Sequence, residues 1–107
     1  MELRVFGLEN RLEPRVEVTV YRIVQELVGN ALKHAKASEV SIDVTRSPGR
    51  LSVMVSDDGA GFDPSIPGEG MGLENVRKRA ATLGGNVAID SVPGKGTTIS
   101  LECVVVD

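Results

Sequence analysis

The residues best suited to do chemistry in this chain lie in the stretch SDDGAGFDPSIPGEGMGLEN, residues 56–75. Asp57 and Asp58 directly follow an alternating strand, and Gly59 and Gly61 follow them. A carboxylate at such a turn can accept a hydrogen bond from an amine, and glycine lets a ligand approach the main chain. The ends of strands are also where α/β sheets often place ligand groups. A plain Asp-Gly turn has the same residues, so the pattern alone leaves both interpretations open.

A second set of glycines, Gly68, Gly70 and Gly72, precedes a helical pattern. Exposed amides at a helix N-terminus favour anions, so this segment is suited to hold phosphates, and its bare backbone is suited to act as a mobile lid. Its spacing matches neither the P-loop, GxxxxGK[ST], nor the dinucleotide fingerprint, GxGxxG. The further stretch PGKG, residues 93–96, is typical of a hairpin loop.

A third group of polar residues lies in the stretch ELVGNALKHA. Glu26, Asn30 and Lys33 fall within about 60° of arc on a helix, so a carboxylate, an amide and an ammonium share one face. An ordinary solvated helix face has the same pattern. His34 follows them, and a lone histidine near a helix end is typical of contacts with terminal carbonyls or solvent.

The longest periodic segment of the chain, residues 15–36, is predicted to be an amphipathic helix that carries this polar group. A short strand over residues 2–6 precedes it. Its expected apolar face consists of Val24, Val28, Leu32 and Ala35, with Tyr21 and Ala31 close by.

Two β-hairpins and a second helix are predicted after the first helix. EVSIDVT and RLSVMVS alternate around RSPGR, and NVAIDSV and TTISLECVVV alternate around PGKG. Between them, apolar residues recur at helical spacing until Gly84 and Gly85 end the helix. Strands that alternate have one buried and one wetter face. We therefore expect an α/β (α+β) two-layer sandwich, with both helices packed on one face of a mixed β-sheet.

Composition excludes several classes of protein. A chain of 107 residues with 41% hydrophobic and 25% charged residues has the size and balance of a single soluble domain, here residues 1–107. No apolar run approaches the roughly 20 residues of a membrane span, so no direct membrane contact is expected. The net charge of −3 argues against a nucleic-acid surface. The single Cys103 has no partner for a disulfide or a metal site, which fits a reducing cytoplasm.

Four stretches, ELVGNALKHA, DDGAG, GEGMGLENV and GKGTTISL, occur in this order. Their order resembles the nucleotide-binding motifs of the GHKL superfamily, whose ATPases have the Bergerat fold and include gyrase, a heat-shock chaperone, mismatch-repair proteins and histidine kinases. The spacing is similar to that of the catalytic and ATP-binding (HATPase_c) domain of two-component sensor histidine kinases, in particular the short-lid, nitrate-sensor-like subfamily. The resemblance covers residues 15–102.

The resemblance implies roles for the helix residues. Asn30 would coordinate Mg²⁺, and Lys33, with His34 beside it, would help to hold the phosphates of ATP. Glu26 occupies the family position suggested to act as general base toward the attacking group. Phosphoryl transfer needs positioning and charge neutralisation more than covalent help, and a metal ion, Lys33 and loop amides supply both.

The resemblance also implies an adenine end and a lid. Asp57 would accept a hydrogen bond from the adenine amino group, Gly59 and Gly61 would let the base lie close, and Thr97 would line this end. Asp58 stands where many relatives have Asn, and the Phe-containing motif of longer-lid kinases is missing. The lid and its hinge would be formed by Gly68, Gly70, Met71, Gly72 and Leu73.

The resemblance implies a protein histidine kinase whose phosphoacceptor lies elsewhere. His34 lies inside the nucleotide motif and is followed by Ala35 rather than by an acidic residue. We therefore expect a domain excised from a larger sensor kinase, or a chain that meets its acceptor in trans. Its partners would be a helical dimerisation and phosphoacceptor domain and a response regulator, in a cytoplasmic setting, and any membrane anchor would belong to the parent protein.

Two other functions fit the same residues. An anti-sigma-factor-like serine kinase on the same scaffold would phosphorylate a protein hydroxyl. A nucleotide-free interaction module would use the glycine stretches only as turns.

Overall fold

The computed structural model describes residues 1–7, 12–33, 35–63, 65 and 73–105. Within these residues, five strands form one mixed sheet and two helices pack against it. In chain order the elements are β1 (Glu2–Phe6), α1 (Pro14–Lys33), β2 (Val40–Ser47), β3 (Arg50–Asp57), α2 (Leu73–Thr82), β4 (Asn86–Val92) and β5 (Gly96–Val104). The sheet order is β1-β2-β3-β5-β4, in which β1 and β2 are parallel and the other pairs are antiparallel. The predicted strands, hairpins and two-layer α/β sandwich are confirmed.

The core lies between the helices and one face of the sheet, because the strands alternate apolar and polar side chains. Cross-strand neighbours such as Val53 and Leu101 share this inner face. Both helices contribute to the same buried cluster, so both pack on that face. The buried apolar strand residues are Val40, Ile42, Leu51, Val53, Val55, Ile99, Leu101 and Cys103. The buried helix residues are Val16, Val20, Ile23, Leu27, Ala31, Leu73, Val76 and Ala80.

The apolar face predicted for α1 is confirmed at Ala31 but otherwise lies to one side of the buried face. Leu32 is 52% exposed and Tyr21 is 66% exposed, whereas Val24 and Val28 are partly buried at the edge of the core. Apolar residues cover a wide arc of this helix, and the sheet covers a stripe that runs from its first to its last turn. Its members are Val16, Val20, Ile23, Leu27 and Ala31.

The two helices end by different main-chain devices. In α2 the amide of Gly85 donates to the carbonyl of Ala80 at 2.9 Å and Gly84 has φ 67, so the predicted glycine stop is confirmed as a Schellman motif. The first helix ends at Lys33 rather than at the predicted residue 36. There the chain turns through Lys36, a non-glycine residue with φ 53. Within the described residues, neither helix is long and apolar enough to span a bilayer.

Lys36→Gly is expected to raise the free energy of unfolding by about 1 kcal/mol, because glycine removes the strain of a left-handed backbone at an exposed position. Urea unfolding of both variants and of the parent chain measures this difference. Lys78→Gly, at an exposed position inside α2, is the matched control and should lower stability by about 1 kcal/mol. Equal losses at both positions would contradict the assignment of strain to Lys36.

Candidate functional site

Three polar residues, Asp57, Thr97 and Ser91, lie side by side at one end of the inner face of the sheet. Ser91 of β4 pairs with Thr97 of β5, and Thr97 pairs with Asp57 of β3, so these residues share the face that carries the core. The hydroxyl oxygens of Ser91 and Thr97 are 2.8 Å apart. In the part of the chain that the structure describes, these two are the only polar side chains that are buried. Burial of hydroxyls is tolerated here because each has a hydrogen-bond partner.

Ser91 was not predicted from the sequence. Its hydroxyl oxygen accepts a hydrogen bond from the amide of Phe62 at 2.9 Å, which ties the loop after β3 to β4. It also lies 3.3 Å from the carbonyl oxygen of Gly96. The alternation of Val87 and Ile89 in NVAIDSV makes position 91 an inward position. A serine at an inward position is the sequence feature that could have indicated a buried polar residue.

Three glycines make room for close approaches of main chain to main chain. A Cβ at Gly59 would lie 2.6 Å from the carbonyl oxygen of Ala35. A Cβ at Gly61, with φ 65, would collide with the carbonyl of Val92. At Gly96, with φ 88, it would collide with the carbonyl of Asp57. The loop after β3 is therefore wedged between the end of α1 and the β4–β5 hairpin.

The carboxylate of Asp57 is half-buried and has a fixed orientation. Its Oδ1 accepts a hydrogen bond from the amide of Gly59 at 2.8 Å. No other hydrogen bond from a described residue reaches this carboxylate, so Oδ2 remains able to accept one from a ligand. Thr97 lies beside Asp57 on the neighbouring strand, so the structure brings these two predicted site residues together.

The carboxylate of Asp58 makes a different set of contacts. Its Oδ1 accepts hydrogen bonds from the amides of Ser38 at 2.8 Å and Glu39 at 2.9 Å. The bond from Glu39, with that from Ser38 acting in the same direction, lowers the pKa of Asp58 below its ordinary value. Asp58 is therefore fully ionised at neutral pH and ties the end of β3 to the segment before β2.

The polar residues of α1 lie beside the core rather than opposite it. Asn30 is about 60° from the centre of the buried stripe and is half-buried, as is Glu26, whereas Lys33 is exposed at the end of the helix. The amide of Ala35 donates to the carbonyl of Asn30 at 3.0 Å. Since Gly59 packs against Ala35, the helix end that carries Asn30 and Lys33 adjoins the loop that begins at Asp57.

Glu26 lines a groove of about 470 Å³ that is open to solvent. Arg22 lies one turn before it on α1, and Arg79 reaches the groove from α2. The remaining lining residues are Val18, Tyr21 and Gln25. A carboxylate in this position is accessible to an incoming side chain.

Several predicted site residues lie outside the described residues, namely His34, Gly68, Gly70, Met71 and Gly72. Leu73, predicted as part of the lid hinge, is the first residue of α2, and its side chain is buried in the core. Among the described residues no cluster of three metal-binding side chains occurs. The amide oxygen of Asn30 has the chemistry to bind Mg²⁺ when phosphates and waters supply the other ligands.

Comparison with known proteins identifies relatives over nearly the whole chain. A family model described as histidine kinase-, DNA gyrase B- and HSP90-like ATPase matches residues 15–106. A sensor-like histidine kinase of Chloroflexus aurantiacus is 42% identical over 98 residues, which cover 85% of this chain and 16% of that protein. The signal transduction histidine-protein kinase/phosphatase UhpB of Salmonella typhimurium is 34% identical over 110 residues, covering 94% of this chain and 22% of UhpB. The chain thus spans a minor part of these curated relatives.

Solved structures share the fold. The histidine kinase domain of a blue-light activated kinase from Erythrobacter litoralis matches with a TM-score of 0.72 and 24% identity, over 95% of this chain and 53% of that chain. The ATP binding domain of PrrB from Mycobacterium tuberculosis matches with a TM-score of 0.71 and 21% identity, over 84% of this chain and 69% of that chain. At these identities the likeness concerns the fold, and it confirms the expected Bergerat-type architecture.

Gly96→Ala is expected to lower the free energy of unfolding by about 3 kcal/mol or to prevent folding, because the added methyl group meets the carbonyl of Asp57 in a left-handed backbone. Gly94→Ala is the matched control in the same hairpin. Gly94 has φ 81 but open space around its Cβ position, so only about 1 kcal/mol of strain is expected there. Urea unfolding compares the two, and equal losses would show that the contact with Asp57 is not tight.

Proposed function

Because the chain belongs to the family of histidine kinase-, DNA gyrase B- and HSP90-like ATPases, we propose that it is the ATP-binding catalytic domain of a sensor histidine kinase. It transfers the γ-phosphoryl group of Mg-ATP to a histidine on a separate dimerisation domain. Membership of this family implies ATP binding, which disfavours the nucleotide-free interaction module. The matches to sensor histidine kinases support a histidine acceptor over the serine acceptor of an anti-sigma-factor-like kinase.

The observation that carries this proposal is the polar row at Asp57 and Thr97. It lies at the ends of β3 and β5, and it adjoins the helix end that bears Asn30 and Lys33. Asp57 has one carboxylate oxygen committed to the amide of Gly59 and one oxygen left for a ligand. That second oxygen is suited to accept the exocyclic amine of adenine, and Thr97 offers a neighbouring hydroxyl.

The phosphates are assigned to the helix side of the site. Lys33 is an exposed ammonium at the last position of α1, and Asn30 lies one turn before it. When bound, Mg²⁺ would neutralise charge on the phosphates, and Asn30 would supply the protein's oxygen ligand. We assign His34 to the same end and Gly68, Gly70, Met71 and Gly72, with Leu73 as anchor, to a short lid over the triphosphate.

Glu26 is assigned as general base. Its carboxylate is half-buried at the edge of an open groove, so an acceptor side chain from another domain can approach it. A base in that position accepts the proton of the imidazole N–H while the other ring nitrogen attacks the γ-phosphorus, provided that the carboxylate and the N–H come within hydrogen-bond reach.

The remaining partners follow from this assignment. The acceptor is a helical dimerisation domain of the same kinase, and a response regulator receives the phosphoryl group from it. The domain works in the cytoplasm, whether or not the parent protein is anchored in a membrane. The short spacing between Gly61 and Gly68, six residues, supports placement in the short-lid, nitrate-sensor-like subfamily.

Asp57→Asn is expected to weaken binding of a non-hydrolysable ATP analogue about a hundredfold. The asparagine keeps an oxygen for the amide of Gly59, but its side-chain NH2 group is a donor at the position where the adenine amino group needs an acceptor. Calorimetric titration with adenosine and inosine triphosphate analogues measures this. The inosine analogue, which carries a carbonyl in place of the amine, should bind the variant at least as well as the adenosine analogue does.

The control for this test is Asp90→Asn, which changes an exposed carboxylate on β4 and should leave affinity unaltered. Absence of binding heat for the unsubstituted chain would exclude the nucleotide site. Unchanged adenosine preference in Asp57→Asn would exclude Asp57 as the residue that recognises the base.

Glu26→Gln is expected to lower the rate of phosphoryl transfer about a hundredfold or more while leaving nucleotide affinity unchanged. Transfer is measured to the acceptor domain of the parent kinase supplied in trans. Gln25→Ala, a change to a neighbour in the same groove, is the control and should retain the rate. Full transfer by Glu26→Gln would remove its role as base, and an acid-stable phosphoprotein would point to the serine kinase instead.

A further inference from the structure

Asp58 binds a segment of main chain that the proposed reaction does not otherwise involve. Its Oδ1 accepts from the amides of Ser38 and Glu39, at 2.8 and 2.9 Å, and its own amide donates to the carbonyl of Glu39 at 3.3 Å. One residue therefore makes three hydrogen bonds to two consecutive residues. Hydrogen bonds to a charged carboxylate are among the stronger ones in proteins.

Two further contacts join the same pair of segments. The amide of Ala60 donates to the carbonyl of Ala35 at 2.9 Å, and Gly59 packs directly on Ala35. Residues 35–39 and 58–60 thus form one hydrogen-bonded junction. The first segment begins two residues after Lys33, the last residue of α1, and the second directly follows Asp57.

The junction stands between the two ends of the proposed nucleotide site. The adenine end begins at Asp57 on the sheet, whereas the phosphate end is carried by Asn30 and Lys33 on the helix. No hydrogen bond among the described residues joins the side chain of Asn30 to that of Asp57. Packing of α1 on the sheet places the two ends near each other, and the main-chain junction that Asp58 holds is the hydrogen-bonded connection nearest to both.

We propose that Asp58 is a positioning residue of the nucleotide site, which fixes the end of α1 against the end of β3 so that one ATP molecule meets both. This inference rests on the proposed function. Asp58 does not contact the nucleotide; it orders residues 35–39 before binding, and this lowers the conformational entropy lost when the ligand binds.

The test compares substitutions that keep or remove the acceptor oxygen. Asp58→Asn retains an Oδ1 that can accept from both amides, whereas Asp58→Ala retains none. For a Mg²⁺-loaded, non-hydrolysable ATP analogue and the full chain, Asp58→Ala should bind about tenfold more weakly and Asp58→Asn within about threefold of the parent. Asp90→Ala removes an exposed carboxylate on β4 and should bind as the parent does.

Amide hydrogen exchange on the same proteins supplies a second readout. In Asp58→Ala, faster exchange should be confined to residues 35–39 and 57–61. Parent-like affinity in Asp58→Ala, an equal loss in Asp58→Asn, or faster exchange throughout the sheet would each overturn the proposal. If Asp58→Ala does not fold, Asp58→Glu carries the test, because it keeps the charge but displaces the oxygen, and parent-like binding and exchange there would also overturn it.

Failure of the proposed function gives a different result. In that case the unsubstituted chain itself does not bind the analogue. The exchange data then decide whether Asp58 orders residues 35–39, and normal protection in Asp58→Ala would overturn that role as well.

Discussion

The close packing of main chain around Asp57 is the constraint on which the candidate site depends. Gly59 and Gly61 let the loop after β3 approach the end of α1 and the end of β4, and Gly96 lets the start of β5 approach the carbonyl of Asp57 at the end of β3. Because carbonyl groups occupy the space where side chains would be, the three contacts fix the path of the loop more tightly than side-chain packing would. The main chain at this end of the sheet is therefore rigid, which suits it to form one side of the candidate site.

Asp57 and Asp58 are consecutive residues of the same type, but their positions give their carboxylates different contacts. Asp57 is the last residue of β3 and shares the inner face with Thr97, so its carboxylate is directed toward the candidate ligand site. Asp58 lies beyond the strand, and its carboxylate accepts two amides of the preceding segment. The Oδ1 of Asp57 bonds only to the nearby amide of Gly59, whereas the Oδ1 of Asp58 bonds to two amides of another segment, so Asp57 leaves its carboxylate at the candidate site and Asp58 joins two parts of the main chain.

Much of the fold could be predicted from the sequence because the strands alternate without interruption and Gly84 can adopt the φ that a helix stop requires. The buried face of α1 could not, because its apolar residues cover about half of the helix and periodicity does not say which part of a wide arc the sheet will cover. The DDGAG stretch pointed to the end of the sheet where Asp57, Ser91 and Thr97 form the candidate site, since it follows a buried strand. Ser91 and the contacts of Asp58 depend on which strands become neighbours, and this is a tertiary property that local sequence patterns do not contain.

Strand β1 differs from the other four in what holds it. All five of its side chains are exposed, including Leu3 and Val5, while its main chain pairs in parallel with β2. The strand is joined to the sheet by its peptide groups and by the side chain of Arg4, whose Nε donates to Oδ1 of Asp43 on β2 at 2.6 Å. Because none of its side chains is buried, changes to this strand that keep its main-chain pairing should leave the interior undisturbed.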